Sequence, residues 1–133
     1  MTRRSETGRL GEDIAAEYLA KKSYRIIERN YLKPWGEIDI IAKSPDRTIV
    51  FVEVKTVNSR HSREVRENSP DFKELTPEDQ MTSAKLRKLR KIAQSYSADQ
   101  SGKIIEKKGW RIDLVAVTLS GGDKPDVKHY ENI

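Results

Sequence analysis

The chain contains no cysteine in its 133 residues. A disulfide framework, a thiolate zinc site and a thiol nucleophile are therefore excluded, and the composition suits a reducing compartment. Long apolar runs are also missing. None approaches the roughly 18 to 20 residues needed to cross a bilayer, and the opening Met-Thr-Arg-Arg-Ser-Glu has no apolar signal segment. We therefore expect a cytoplasmic protein with no membrane contact. Histidine is scarce. His61 and His129 fall in a loop and in a terminal strand, without the spacing of a zinc site.

Charge is abundant. Lysine and arginine number 26 against 21 acids, for a net charge of +5 and a pI near 9.4. The positive charge favours a polyanionic partner, nucleic acid first, while a merely soluble charge-rich surface fits the same balance. The length fits one domain, residues 1–133, around one core.

The most informative stretch runs from Gly36 to Val57. Val50, Val52 and Val54 alternate with Phe51, Glu53 and Lys55, the period of a strand. Upstream, Ile38 and Ile40 alternate with Glu37 and Asp39, and Ser-Pro-Asp-Arg at 44–47 supplies a turn. An antiparallel pair of these strands brings Asp39 and Glu53 together, with Lys55 beside them. Charges resist leaving water without a partner. A divalent metal is one such partner, and Mg²⁺ commonly takes only one or two carboxylates. The competing reading of Glu-x-Lys is a solvated pair of small energetic value.

Around this hairpin we predict a helix over Thr7 to Lys22, with Leu10, Ile14, Ala15, Tyr18 and Leu19 on its apolar face. Glu12 flanks that face and is a candidate third carboxylate, against the alternative of a solvated side chain. Ser23 to Leu32 reads as the first strand, followed by a turn at Lys33-Pro34-Trp35-Gly36. Trp35 is read first as a seal on the edge of the core, and second as a ring for stacking on an unpaired base. Residues 58–75 read as a long mobile loop carrying Arg60, His61, Arg63 and Arg66.

Thr76-Pro77-Glu78-Asp79 has the chemistry of a helix start, and the helix is expected to run to about Ser97. Met81, Leu89, Ile92, Ala93 and Tyr96 form its buried seam, while Arg87, Lys88, Arg90 and Lys91 make a basic face. Lys85 lies on the inward side, positioned either to snorkel or to reach the carboxylates and a phosphate. Trp110 to Leu119 gives a further strand and Asp126 to Glu131 a last one. Asp113, within the former, is read as a structural ion-pair partner.

The order helix, three strands with Asp and Glu-x-Lys, helix, strand, strand resembles the PD-(D/E)XK nuclease core. The chain looks closest to the bacterial YraN family, similar to archaeal Holliday-junction resolvases. The resemblance rests on Gly11-Glu12, Asn30-Tyr31, Gly36-Glu37-Ile38-Asp39-Ile40-Ile41-Ala42, Val50-Phe51-Val52-Glu53-Val54-Lys55, Lys85 and Arg111-Ile112-Asp113. It implies an α/β, restriction-endonuclease-like fold with a central mixed sheet flanked by helices. It further implies a Mg²⁺- or Mn²⁺-dependent endonuclease acting on DNA, branched or single-stranded. Asp39, Glu53 and Glu12 would be metal ligands and Lys55 would lie beside the attacking water. Leu32 and Val57 stand where the family usually has arginines. Two symmetric cuts across a junction would require a homodimer. The alternatives are a non-catalytic nucleic-acid-binding module on the same fold, or a scaffold using the basic helix to contact proteins.

Overall fold

A computed structural model describes residues 6–58, 81–99, 109–119 and 124–133. Among them the elements are helix α1 (Glu6–Lys21), strands β1 (Arg25–Lys33), β2 (Gly36–Lys43) and β3 (Ile49–Asn58), helix α2 (Ser83–Asp99), and strands β4 (Trp110–Leu119) and β5 (Asp126–Tyr130). The five strands form one mixed sheet in chain order. β3 and β4 pair in parallel, and the other three neighbouring pairs are antiparallel. The expected α/β architecture with a central mixed sheet and flanking helices is what the chain adopts.

Strand alternation splits the core into two faces. Val50, Val52, Val115 and Val117 pack with Ala15 and Leu19 of α1. Phe51, Ile49 and Ile112 pack with Leu89, Ile92, Ala93 and Tyr96 of α2. Each of the larger buried aliphatic side chains contributes about 1.5–3 kcal/mol relative to exposure, so the sheet is held firmly between its helices. α1 ends where Ser23 adopts φ 69° and the Tyr24 amide donates to the Leu19 carbonyl at 2.9 Å, a left-handed helix stop. The turn between β2 and β3 is closed by Ser44, whose amide donates to the Thr48 carbonyl at 2.9 Å.

Two expectations need correction. Ile38 and Ile40 were expected on one face, yet Ile38 joins the α2-side cluster and Ile40 the α1-side cluster. The alternation shifts across Asp39, opposite which Asn30 adopts φ 56°. The second helix begins at Ser83, with Met81 and Thr82 outside it. Its cap is Thr82, whose hydroxyl accepts the Lys85 amide at 3.1 Å, as an N-cap side chain should. The start proposed at Thr76-Pro77 lies outside the described residues. So does the expected loop beyond Asn58, which itself ends β3.

Candidate active site

The site is built where the β2–β3 ladder stops. Regular pairing runs from Lys43 opposite Ile49 to Ile40 opposite Val52, and the next position in that register would set Asp39 opposite Glu53. There the Asp39 side chain enters the backbone pattern, its Oδ2 accepting the Val54 amide at 2.8 Å. This bond fixes the Asp39 carboxylate beside Glu53. Both acids line a cleft of about 490 Å³, together with Gly36, Glu37, the cap residue Thr82 and the α2 residues Ala84, Lys85 and Lys88.

Electrostatics mark the pair as unusual. Burial, and then the negative charge of Asp39, push the Glu53 carboxyl up to about 7, against the opposing pull of Lys85. Lys85 Nζ lies 3.0 Å from Glu53 Oε1. The reading in which Lys85 projects from the inward side of its helix towards the carboxylates is therefore the one realised. Lys88 also lines the cleft, while Arg87, Arg90 and Lys91 are exposed on the outer face of α2. Lys55 is exposed two residues beyond Glu53 on the same strand, and strand alternation puts both on one side of the sheet.

Glu12 is placed differently from Asp39 and Glu53. It is 1% exposed, and its Oε1 accepts from Arg29 Nε at 3.2 Å, while Arg29 also pairs with Asp13 at 2.6 Å. Glu12 is not part of the cleft lining. α1 approaches the sheet closely at the preceding residue: a Cβ on Gly11 would sit 1.8 Å from Thr56 Oγ1. Among the described residues no group of three or more His, Cys, Asp or Glu side chains is arranged to hold a metal ion. The pair that the chain does assemble, two carboxylate side chains in one cleft, offers oxygen donors of the kind that a hard cation takes.

Trp35 does not seal the core. It is 56% exposed in the two-residue turn between β1 and β2, closed by Lys33 opposite Gly36. Its indole projects from a turn whose next two residues, Gly36 and Glu37, belong to the cleft. Three contributors escaped the sequence reading. Arg29 and Thr82 gave no signal beyond their residue types, and Glu37, inside the Gly-Glu-Ile-Asp block, was visible there without a role.

A second polar cluster is built on β4, β5 and the residues after β5. Asp113 is fully buried. It accepts from Arg111 Nε at 2.9 Å and from the Asn132 amide at 2.9 Å, and lies 2.7 Å from His129 Nε2. Its expected role as an ion-pair partner holds. Arg111 continues to the Tyr24 hydroxyl and to Glu131, each at 2.8 Å.

The description of the uncharacterised protein family UPF0102 matches residues 11–117. The chain belongs to the UPF0102 family, also called the YraN family. UPF0102 proteins of Trichlorobacter lovleyi and of Bifidobacterium longum are 35% and 34% identical to it, each over 125 residues. These alignments cover 94% of the chain, and 87% and 90% of the two relatives. A UPF0102 protein of a Mycobacterium strain is 34% identical over 134 residues, covering 98% of this chain and 86% of its own. The UPF0102 match runs from within α1 through most of β4, so Glu12, Asp39, Glu53, Lys55 and Lys85 all fall within it.

Proposed function

We propose that this chain is a metal-dependent endonuclease on a PD-(D/E)XK core, hydrolysing phosphodiester bonds in DNA. The observation that carries the reading is the confinement of Asp39 and Glu53 in one cleft, with the Glu53 carboxyl pushed up to about 7 by burial and by its neighbour. Asp39 and Glu53 would hold a Mg²⁺ or Mn²⁺ ion. Such an ion polarises a phosphoryl oxygen and lowers the pKa of bound water. Lys55, exposed two residues along β3 from Glu53 and outside the cleft lining, would reach in to orient the attacking water and offset the charge gathering on the phosphate. Lys85 and Lys88 give the cleft a cationic wall for the same phosphate. The exposed Arg87, Arg90 and Lys91 extend that charge along α2, where contacts to phosphates set position rather than sequence. Among the described residues no helix is long and apolar enough to cross a membrane.

A second reading, a nucleic-acid-binding module without catalysis, is favoured by the Lys85–Glu53 ion pair, since an internal cation already offsets part of the charge that a metal would neutralise. The two readings part on one experiment. Branched, single-stranded and duplex oligodeoxynucleotides are incubated with the protein in Mg²⁺, Mn²⁺ or EDTA, with Asp39→Asn as control. We expect cleavage that requires the divalent ion and Asp39. Binding of DNA without cleavage, and without Mn²⁺ uptake at millimolar concentration, would establish the second reading.

A further inference from the structure

We propose that Trp35 is a stacking platform for an unpaired nucleobase beside the cleft, making nucleotides outside a duplex the preferred substrate. This inference rests on the nuclease reading of Asp39 and Glu53 and names the substrate class for it. The indole is more than half exposed, although a ring of this size gains substantially from burial. Core surface lies close by: a Cβ on Gly36, the next residue, would meet Ile92 Cδ1 at 2.5 Å. The chain nonetheless turns the indole outward.

The mounting is rigid. Pro34 fixes its own φ, and the pairing of Lys33 with Gly36 closes the turn after only two residues. The backbone that carries the ring therefore loses little freedom when a base lands on it. Its position is equally specific, because Gly36 and Glu37 lead from the indole straight into the cleft lining. Four residue steps lead from Trp35 to Asp39, about 13 Å at the rise of a strand, or no more than about four nucleotides of a stacked strand. Cations accompany both the turn and the cleft. Lys33 Nζ lies 5.2 Å from the centre of the Tyr31 ring, which packs on the α2 side of the sheet, and Lys85 and Lys88 line the cleft. Phosphates flanking a stacked base would thus meet lysines.

Stacking needs an open π-face. In a duplex both faces of each base are covered by neighbouring base pairs, and only edges are offered in the grooves. An exposed indole gains nothing from a continuous duplex, and gains fully from a single strand, a flap or a gap.

The test measures affinity by anisotropy of labelled DNA in EDTA, comparing a single-stranded oligodeoxynucleotide with a blunt duplex of the same length. Wild type, Trp35→Ala and Trp35→Phe are compared, each checked by thermal melting. We expect Trp35→Ala to weaken single-strand binding about 5- to 150-fold, the range for loss of one base–aromatic stack, and to lower the ratio of single-strand to duplex affinity by a similar factor. Trp35→Phe should recover most of that ratio. An unchanged ratio in Trp35→Ala, with wild type binding DNA, would overturn the stacking role and leave the nuclease reading standing. Absence of DNA binding by wild type, in EDTA and in Ca²⁺ alike, would overturn both.

Discussion

Lys85 and Glu53 form an ion pair of 3.0 Å that joins the first turn of α2 to β3. The pair reports directly on the field inside the cleft, because Glu53 is pushed up to about 7 by burial and by Asp39 while Lys85 pulls it down. In the metal-free protein, Lys85→Met should move the Glu53 titration midpoint above 7, and Asp39→Asn should move it below. Carboxyl carbon shifts in a pH titration read both. Because the folded value is raised above 4.5, the stabilising contribution is fully present below that pH and is lost as pH rises through about 7. A midpoint that neither substitution moves would refute the coupling.

Substitution separates metal holding from catalysis. Asp39→Asn and Glu53→Gln should weaken Mn²⁺ binding and cleavage together. Lys55→Ala should retain Mn²⁺, since an ammonium is no ligand, yet cut at least about 100-fold more slowly, the lower range for a positioned acid–base group. Titration calorimetry beside a nicking assay measures both quantities. Wild-type cleavage by Lys55→Ala would remove that lysine from the chemistry.

Gly11 is required by space. Alanine there would drive its Cβ into Thr56, and the helix would have to move off the sheet. We expect Gly11→Ala to cost about 1–3 kcal/mol, as overpacked cores do, measured by urea unfolding. Thr56→Ala in the same chain removes two of the three colliding atoms, Oγ1 and Cγ2, and should restore part of the loss.

The Asp113 cluster should govern acid stability. Burial raises the Asp113 pKa, but hydrogen bonds from His129, Arg111 and the Asn132 amide together outweigh it and hold the carboxyl below its usual value. A lowered folded value contributes stability above about pH 4, lost as pH falls through the folded pKa. Asp113→Ala should therefore cost about 3 kcal/mol or more near neutrality, the scale for breaking a buried ion pair. The difference from wild type should shrink in acid. Equal sensitivity at pH 7 and pH 2 would contradict this role.

Much of this arrangement could be read from local patterns. The valines of β3 and the Ser-Pro-Asp-Arg turn defined the hairpin that sets Asp39 beside Glu53, because period-two alternation and turn chemistry are local properties. The helical spacing of Lys85 with Leu89, Ile92 and Tyr96 likewise placed it on the inward face of its helix, and only the packing decided between snorkelling and the cleft. Non-local features were hidden. The face switch between Ile38 and Ile40 accompanies a left-handed Asn30 on the neighbouring strand, and Glu12 meets Arg29 only through the packing of α1 on β1. Thr76 and Thr82 both carry N-cap chemistry, so sequence could not distinguish which one starts α2. Trp35 was misjudged because apolar residues are usually buried, whereas a two-residue turn at a strand end leaves its side chains to solvent.

The parallel ladder between β3 and β4, from Ile49 opposite Trp110 to Asn58 opposite Leu119, has a kinetic consequence. The β1–β2–β3 meander needs only short turns, but β4 can join it only after the chain closes the long crossover between Asn58 and Trp110, with its entropic cost and slow search. The Asp39–Glu53 pair belongs to the part that is near in sequence. The rate of refolding should accordingly follow substitutions that stiffen or lengthen the crossover, while the two acids are brought together by the faster hairpin.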